Sequence, residues 1–217
     1  MSSRPFDAIF FDFDGVVVDS EPVHFACWNE VLKQFGIQLD WDEYTAHFIG
    51  ISDRKMLETI VERAHRPVTV EQLEAQYPVK KELFKERMVV NPPLADGLVE
   101  FLRSLADYRL ALVTSSNYVE VEPVLEVAGI RPLFDACVFG GDVKRLKPAP
   151  DPYLLAAELV GTRQALVVED SQAGIASARA AGLEFVQVPD PRRTVELVRS
   201  RLRQTQPVAA ELGQFGR

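Results

Sequence analysis

Residues 8–21 read AIFFDFDGVVVDSE, and the fold turns on how this stretch is understood. An apolar run of strand length delivers two aspartates, Asp12 and Asp14, and Gly15 then lets the chain turn away. Side chains at i and i+2 of a strand share a face. Extended backbone through Asp14 would therefore aim both carboxylates at one site and send Phe13 the other way. Like charges held that close do not both ionise without a cation or a shared proton. The same Asp-x-Asp-Gly pattern also fits a solvated turn at a strand end, so it needs support from elsewhere in the chain.

Three later segments supply that support. Residues 110–117 (LALVTSSN) and 165–174 (ALVVEDSQAG) repeat the apolar run with a polar end, and residues 146–152 (LKPAPDP) set a lysine among prolines. The spacing predicts strands at about 6–11, 109–114, 136–139, 165–169 and 184–188, with helix-like stretches between most of them. Such alternation defines an α/β fold, a Rossmann-like doubly wound parallel sheet with helices on both faces. Ligand sites in these sheets lie at the carboxyl ends of strands, where the polar ends converge. Asp151-Pro152 and Ser171 read as helix starts, Gly161 and Gly182 as helix stops.

Roughly 95 residues separate the first two strands, far more than one crossover needs. Within them HFACWNEVLKQFG, WDEYTAHFIG, SDRKMLETIVERA and VEQLEAQYPVKKELFKERM have a helical period and no strand alternation. The chain is therefore expected to divide into a catalytic core, 1–19 and 92–217, and an inserted all-helical domain, 20–91. Phe25, Trp28, Phe35 and Trp41 are expected in the core of the insertion. After the helix TVELVRSRLRQ, the tail QTQPVAAELGQFGR is expected to fray or dock loosely.

Composition narrows the partners. The 217 residues carry 24 basic and 32 acidic side chains, a formal charge of -8, with no basic cluster to mark a nucleic-acid footprint. A negative surface repels anions, so a phosphate site must rely on a metal ion, a lysine and oriented backbone amides. Cys27 and Cys137 read as buried free thiols of a reducing compartment. No apolar run has the length of a membrane span or a signal peptide, so cytoplasmic residence with no membrane partner is expected; the protein is also expected to be a monomer.

Taken together and in this order, the four segments resemble the haloacid dehalogenase-like superfamily of aspartate-dependent phosphotransferases. DFDGVVVDSE looks like the family's first motif, Thr114 in LVTSSN its second, Lys147 in LKPAPDP its third, and Glu169-Asp170 in VVEDSQAG its fourth. The chain is most similar to the subgroup of beta-phosphoglucomutase, phosphoglycolate phosphatase and small sugar-phosphate phosphatases. That resemblance implies a helical cap inserted after the first motif and closing over the active site.

The resemblance also implies roles. Asp12 would be the nucleophile that forms an aspartyl phosphate, and Asp14 the acid and base for leaving group and water. Thr114, Ser115 and Lys147 would hold the phosphoryl group, with backbone amides near Phe13, Asp14 and Ser115. Hard oxygen ligands beside a phosphate favour Mg²⁺. Its ligands would be the Asp12 carboxylate, the Asp14 carbonyl and the Glu169-Asp170 pair, the choice between those two remaining open. Glu21, His24, Ser52 and Arg54 are candidates for substrate selection, as are Lys55, Lys80 and Lys81.

The expected activity is Mg²⁺-dependent hydrolysis of a small phosphorylated metabolite, a sugar phosphate above all. The nearest rival is a phosphosugar mutase, because Val16 stands where many phosphatases have threonine. Against it, Asp53 follows Ser52 where the mutase pattern has arginine, and Ile49 stands where that pattern has lysine. A dehalogenase has no such use for Asp14. Phospho-accepting signalling domains are shorter and lack the insertion.

Overall fold

A computed structural model of the chain describes residues 4–49, 51–63 and 67–204. The tail beyond Gln204 lies outside them, as does Gly50. Among the described residues, five strands form one parallel sheet: β1 (Ala8–Phe11), β2 (Arg109–Val113), β3 (Ala136–Val138), β4 (Ala165–Glu169) and β5 (Glu184–Gln187), in the order β3-β2-β1-β4-β5. All five fall where the sequence predicts them. The chain leaves central β1 for one flank and returns for the other, so β1 sits at the point where strand order reverses.

Among the described residues, the helices α1 (Glu21–Leu32), α2 (Trp41–His47), α3 (Asp53–Arg63), α4 (Val70–Glu74) and α5 (Tyr77–Val90) follow β1. The remaining helices alternate with strands: α6 (Leu98–Ser104), α7 (Tyr118–Val127), α8 (Asp151–Val160), α9 (Gln172–Ala180) and α10 (Thr194–Gln204). Among the described residues no helix is long and apolar enough to cross a membrane.

Period-two alternation divides β1 between two apolar layers. Ile9 and Phe11 join Phe101 of α6, Val124 of α7 and Val198 of α10. Ala8 and Phe10 join Tyr153 and Ala156 of α8 and Ala178 of α9. Every residue of β1 is buried, as expected for a parallel strand covered on both faces.

The helices after β1 enclose a third cluster of their own, centred on Trp28, Leu32, Leu57 and Leu73. Phe25 and Phe35 pack at its margin. Trp41 departs from expectation. It is 39% exposed, capping the cluster edge by stacking on Tyr44 with ring centroids 5.9 Å apart.

Helix boundaries are displaced by small steps. Asp151 is the first residue of α8 rather than its cap, which is Pro150, and its carboxylate pairs with Arg145 at 2.7 Å. Ser171 caps α9 as expected, accepting from the Gly174 amide at 3.0 Å, and Gly161 ends α8 in the left-handed conformation. Cys27 is buried and Cys137 half-buried, both unpaired.

Candidate active site

The ladder around β1 runs one residue past the strand, the Asp12 amide donating to the Val168 carbonyl at 3.0 Å. That bond leaves the Asp12 side chain at the carboxyl edge of the sheet. Thr114 occupies the same place after β2, its amide donating to Val138 at 2.9 Å. Glu169 closes β4, and Asp170 follows it. The strand ends before Asp14, and the chain bends at Phe13. The Phe13 carbonyl accepts from the Val17 and Val18 amides, and the resulting turn needs Gly15 at φ 73°. A Cβ on Gly15 would stand 2.2 Å from Asp170 Oδ2, so the glycine also admits that carboxylate to the site.

Lys147 joins the strand ends. Its Nζ donates to Asp12 Oδ1 and Glu169 Oε1, each at 2.6 Å, and to the Val113 carbonyl at 2.9 Å. Glu169 is fully buried and both of its oxygens are engaged. Tyr153 also donates to Oε1 at 3.1 Å, and Oε2 accepts from the Ser171 amide at 2.9 Å and hydroxyl at 3.0 Å. Carboxylate oxygens of Asp12, Glu169 and Asp170 lie within 4.8 Å of one another.

Burial pushes the Asp12 carboxyl up to about 8, opposed by Lys147 and helped by the Glu169 charge. Burial, then Glu169, pushes Asp170 up to about 7. Burial disfavours the Lys147 charge, yet Asp12 and Glu169 outweigh it and hold its pKa above the ordinary lysine value. Three carboxylates facing one ammonium leave two formal negative charges in excess, the complement of a divalent cation.

Asp14 is held separately. Ser20 donates to its Oδ1 at 2.8 Å and Ser116 to its Oδ2 at 3.0 Å. Burial raises its pKa against the pull of those two bonds.

Two cavities open beside these groups and share His24. The smaller, 160 Å³, is bordered by Asp14, Ser116, Lys80, Lys81 and Glu120. Lys80, only 4% exposed, donates to His24 Nδ1 at 2.7 Å and lies over the Trp28, Tyr77 and Phe84 rings at 5.3, 5.8 and 5.4 Å. Burial and the Lys80 charge push His24 down to about 4, which keeps the ring neutral as an acceptor. Lys81 bridges to Glu120 of α7 at 2.7 Å. The larger cavity, 550 Å³, is lined by Glu21, His24, Tyr44, Ser52 and Asp53 among others.

The structure thus brings Asp12, Asp14, Thr114, Lys147, Glu169 and Asp170 to one edge of the sheet and sets Glu21, His24 and Ser52 next to it. Ser115 is exposed there, and its carbonyl packs so closely on Gly140 that a Cβ would stand 2.3 Å away. Arg54 is not brought to the site: it is exposed and bonded to Glu74 at 2.7 and 2.9 Å and to Glu58 at 3.3 Å. Lys55 likewise pairs with Glu58.

Sequence reading missed Ser20, Ser116, Tyr153 and Ser171 as partners of the site carboxylates. The cap of α7 is Asn117.

Residues 9–188 match the family model of haloacid dehalogenase-like hydrolases. The chain is 34% identical over 184 residues to fructose-1-phosphate phosphatase YqaB of Escherichia coli (strain K12), a match covering 83% of this chain and 95% of that protein. It is 32% identical over 183 residues to a phosphorylated carbohydrates phosphatase of Thermotoga maritima, covering 83% of each. The crystal structure of a subfamily IA hydrolase from Geobacter sulfurreducens shares the fold, with a TM-score of 0.73 at 23% identity over 90% of this chain and 97% of that one. The chain belongs to the haloacid dehalogenase-like hydrolases.

Proposed function

We propose that this protein is a phosphatase that hydrolyses a small phosphorylated metabolite, a sugar monophosphate, through an aspartyl phosphate on Asp12. One observation carries the reading: Asp12, tied to Lys147 at 2.6 Å, stands beside an independently held Asp14 whose pKa is raised by burial. A carboxyl paired with an ammonium and a second carboxyl held by two hydroxyls are thus set side by side.

Asp12 attacks phosphorus while Lys147 offsets charge on the phosphoryl oxygens. Asp14, oriented by Ser20 and Ser116, gives its proton to the leaving alkoxide and then takes one from the water that opens the acyl phosphate. Thr114 lends its hydroxyl to the phosphoryl group. The excess negative charge of the cluster fits a divalent cation, Mg²⁺ by its oxygen donors, held by the Asp12 and Asp170 carboxylates and the Asp14 carbonyl. Glu169, with four hydrogen bonds already on its two oxygens, acts by positioning Lys147. When bound, the cation keeps Asp12 ionised and withdraws charge from the phosphoryl oxygens.

Residues 20–91 are the cap in this reading, seated by the Lys81–Glu120 pair. The mutase alternative needs a second cationic phosphate site in the cap, and Arg54 is committed elsewhere. The experiment follows isomers and free phosphate together, with a hexose 1- or 6-phosphate, Mg²⁺ and a trace of hexose bisphosphate. Phosphate release without isomer equilibration is expected. Rapid interconversion with negligible release would overturn the proposal.

A further inference from the structure

The Tyr153 ring belongs to an apolar layer with Phe10, Val113, Ala156 and Ala178, a setting that phenylalanine would fill as well. Its hydroxyl is fully buried with it, and a buried polar group needs a partner. That partner is Glu169 Oε1 at 3.1 Å. Ser177 is as deeply buried, on a helix otherwise rich in alanine, and donates to the Ala149 carbonyl at 2.6 Å. Ala149 stands two residues after Lys147. The two hydroxyls, one from α8 and one from α9, thus end on groups that carry a single side chain. An ammonium has three protons, and Lys147 spends all of them, on Asp12, Glu169 and the Val113 carbonyl. Glu169 receives two donors on each oxygen, so the tyrosine hydroxyl is half of what fixes Oε1.

We propose that Tyr153 and Ser177 are positioning residues for Lys147, the first acting through Glu169 and the second through the Ala149 backbone, and that together they aim its ammonium at the phosphoryl group. The inference rests on the phosphatase reading and extends its machinery into α8 and α9. A charge fixed before the reaction stabilises the transition state without reorganising. A lysine free to wander still attracts phosphate as a compact point charge. The two hydroxyls therefore act on kcat more than on KM. Phenylalanine at 153 keeps the ring, whose centroid is 5.0 Å from Lys147 Nζ, and with it the attraction of the ring face for the cation. It removes only the donor to Oε1, after which the Glu169 carboxylate tilts and takes its bond to Lys147 along. Alanine at 177 releases the Ala149 carbonyl from α9 and loosens the loop that carries the lysine.

Tyr153→Phe and Ser177→Ala, each in the full-length protein with Mg²⁺ and an alkyl phosphate, should lower kcat about tenfold and leave KM within about twofold. Orthovanadate takes the five-coordinate shape of the transition state, and its inhibition should weaken by about the same tenfold; inhibition by inorganic phosphate should change by no more than about twofold. Nitrogen-15 NMR gives a reading independent of turnover. With all three protons bonded, the Lys147 ammonium should exchange slowly with water and give a resolved signal in the unaltered protein, assigned by its loss in Lys147→Arg. That signal should broaden in each folded variant. A kcat within about twofold of the unaltered value in a folded variant, or a loss confined to KM, overturns the proposal. So does the lack of a resolved ammonium signal in the unaltered protein, a result that stands even where a variant fails to fold. Hydrolysis of p-nitrophenyl phosphate by the unaltered protein tests the phosphatase reading separately: no turnover on any ester sinks that reading, whereas turnover with both variants unimpaired sinks the positioning role alone.

Discussion

Asp12 and Asp14 are two residues apart, yet their surroundings push them toward different work. Asp12 meets an ammonium, whereas Asp14 meets two hydroxyls. Replacing Asp12 by asparagine keeps volume and an oxygen for Lys147 but removes the attacking charge. Turnover should fall at least ~10³-fold with the circular dichroism spectrum unchanged, and near-normal rates in a folded variant would refute the nucleophile. Ser116→Ala removes one of two bonds orienting Asp14, and kcat on an alkyl phosphate should drop about tenfold. The loss should be smaller on p-nitrophenyl phosphate, whose leaving group needs little help from an acid; equal losses on both esters would contradict the role of Asp14.

The two aspartates were legible in the sequence because a strand followed by glycine announces itself. Ser116 was not. Serine before a helix has an ordinary use as a cap, and only the fold shows that its hydroxyl reaches Asp14 across 102 positions of chain.

At the scale of elements, β4 and α9 meet so closely that Gly174 leaves room for Glu169. A Cβ there would lie 1.7 Å from Glu169 Oε1, inside the network that holds Lys147. Gly174→Ala should therefore destabilise the fold by about 1–3 kcal/mol, read by denaturant titration, and lower activity as well. An unchanged midpoint would show that α9 can move aside. The strands were readable to within two residues because buried parallel strands are nearly unbroken apolar runs. Helices α1 to α5 were readable from helical period. Lys80 was not, because a lysine in a helical pattern reads as surface, and it takes the rings of Trp28, Tyr77 and Phe84 to bury one. The N-cap of α8 was misplaced by one residue because Pro150 and Pro152 both suit a helix start.

For the whole molecule, charge makes two demands. The cluster of Asp12, Glu169 and Asp170 should make stability depend on the cation. Mg²⁺ at 100 times its Kd adds about 2.7 kcal/mol, worth about 5–10 °C in Tm for a chain this size. Calorimetry with chelator and then with Mg²⁺ checks it, and no shift would argue against a cation site.

His24 makes the second demand. Its pKa falls from 6.5 to about 4 on folding, so the unfolded chain binds the proton more readily between those values. The stability this residue contributes is complete above pH 6.5 and is lost as pH falls toward 4, by up to about 1.4 kcal/mol per unit. The stability difference between the protein and His24→Asn should shrink or reverse over that range. In an NMR titration of the three histidines, the His24 ring should remain neutral at pH 5.5. A midpoint near 6.5 would mean that neither burial nor Lys80 presses on it.

The central place of β1 has a consequence for motion. Its backbone is bonded on both sides, to β2 and β4, and the Asp12 amide belongs to that ladder. Amide hydrogens from Ile9 to Asp12 should be among the last to exchange with deuterium, and those of α2 to α4, remote from the sheet, among the first. Substrate could then enter and product leave by opening of the helices after Ser20 while the attacking oxygen keeps its aim, and residual exchange protection would measure how far the two kinds of movement are uncoupled.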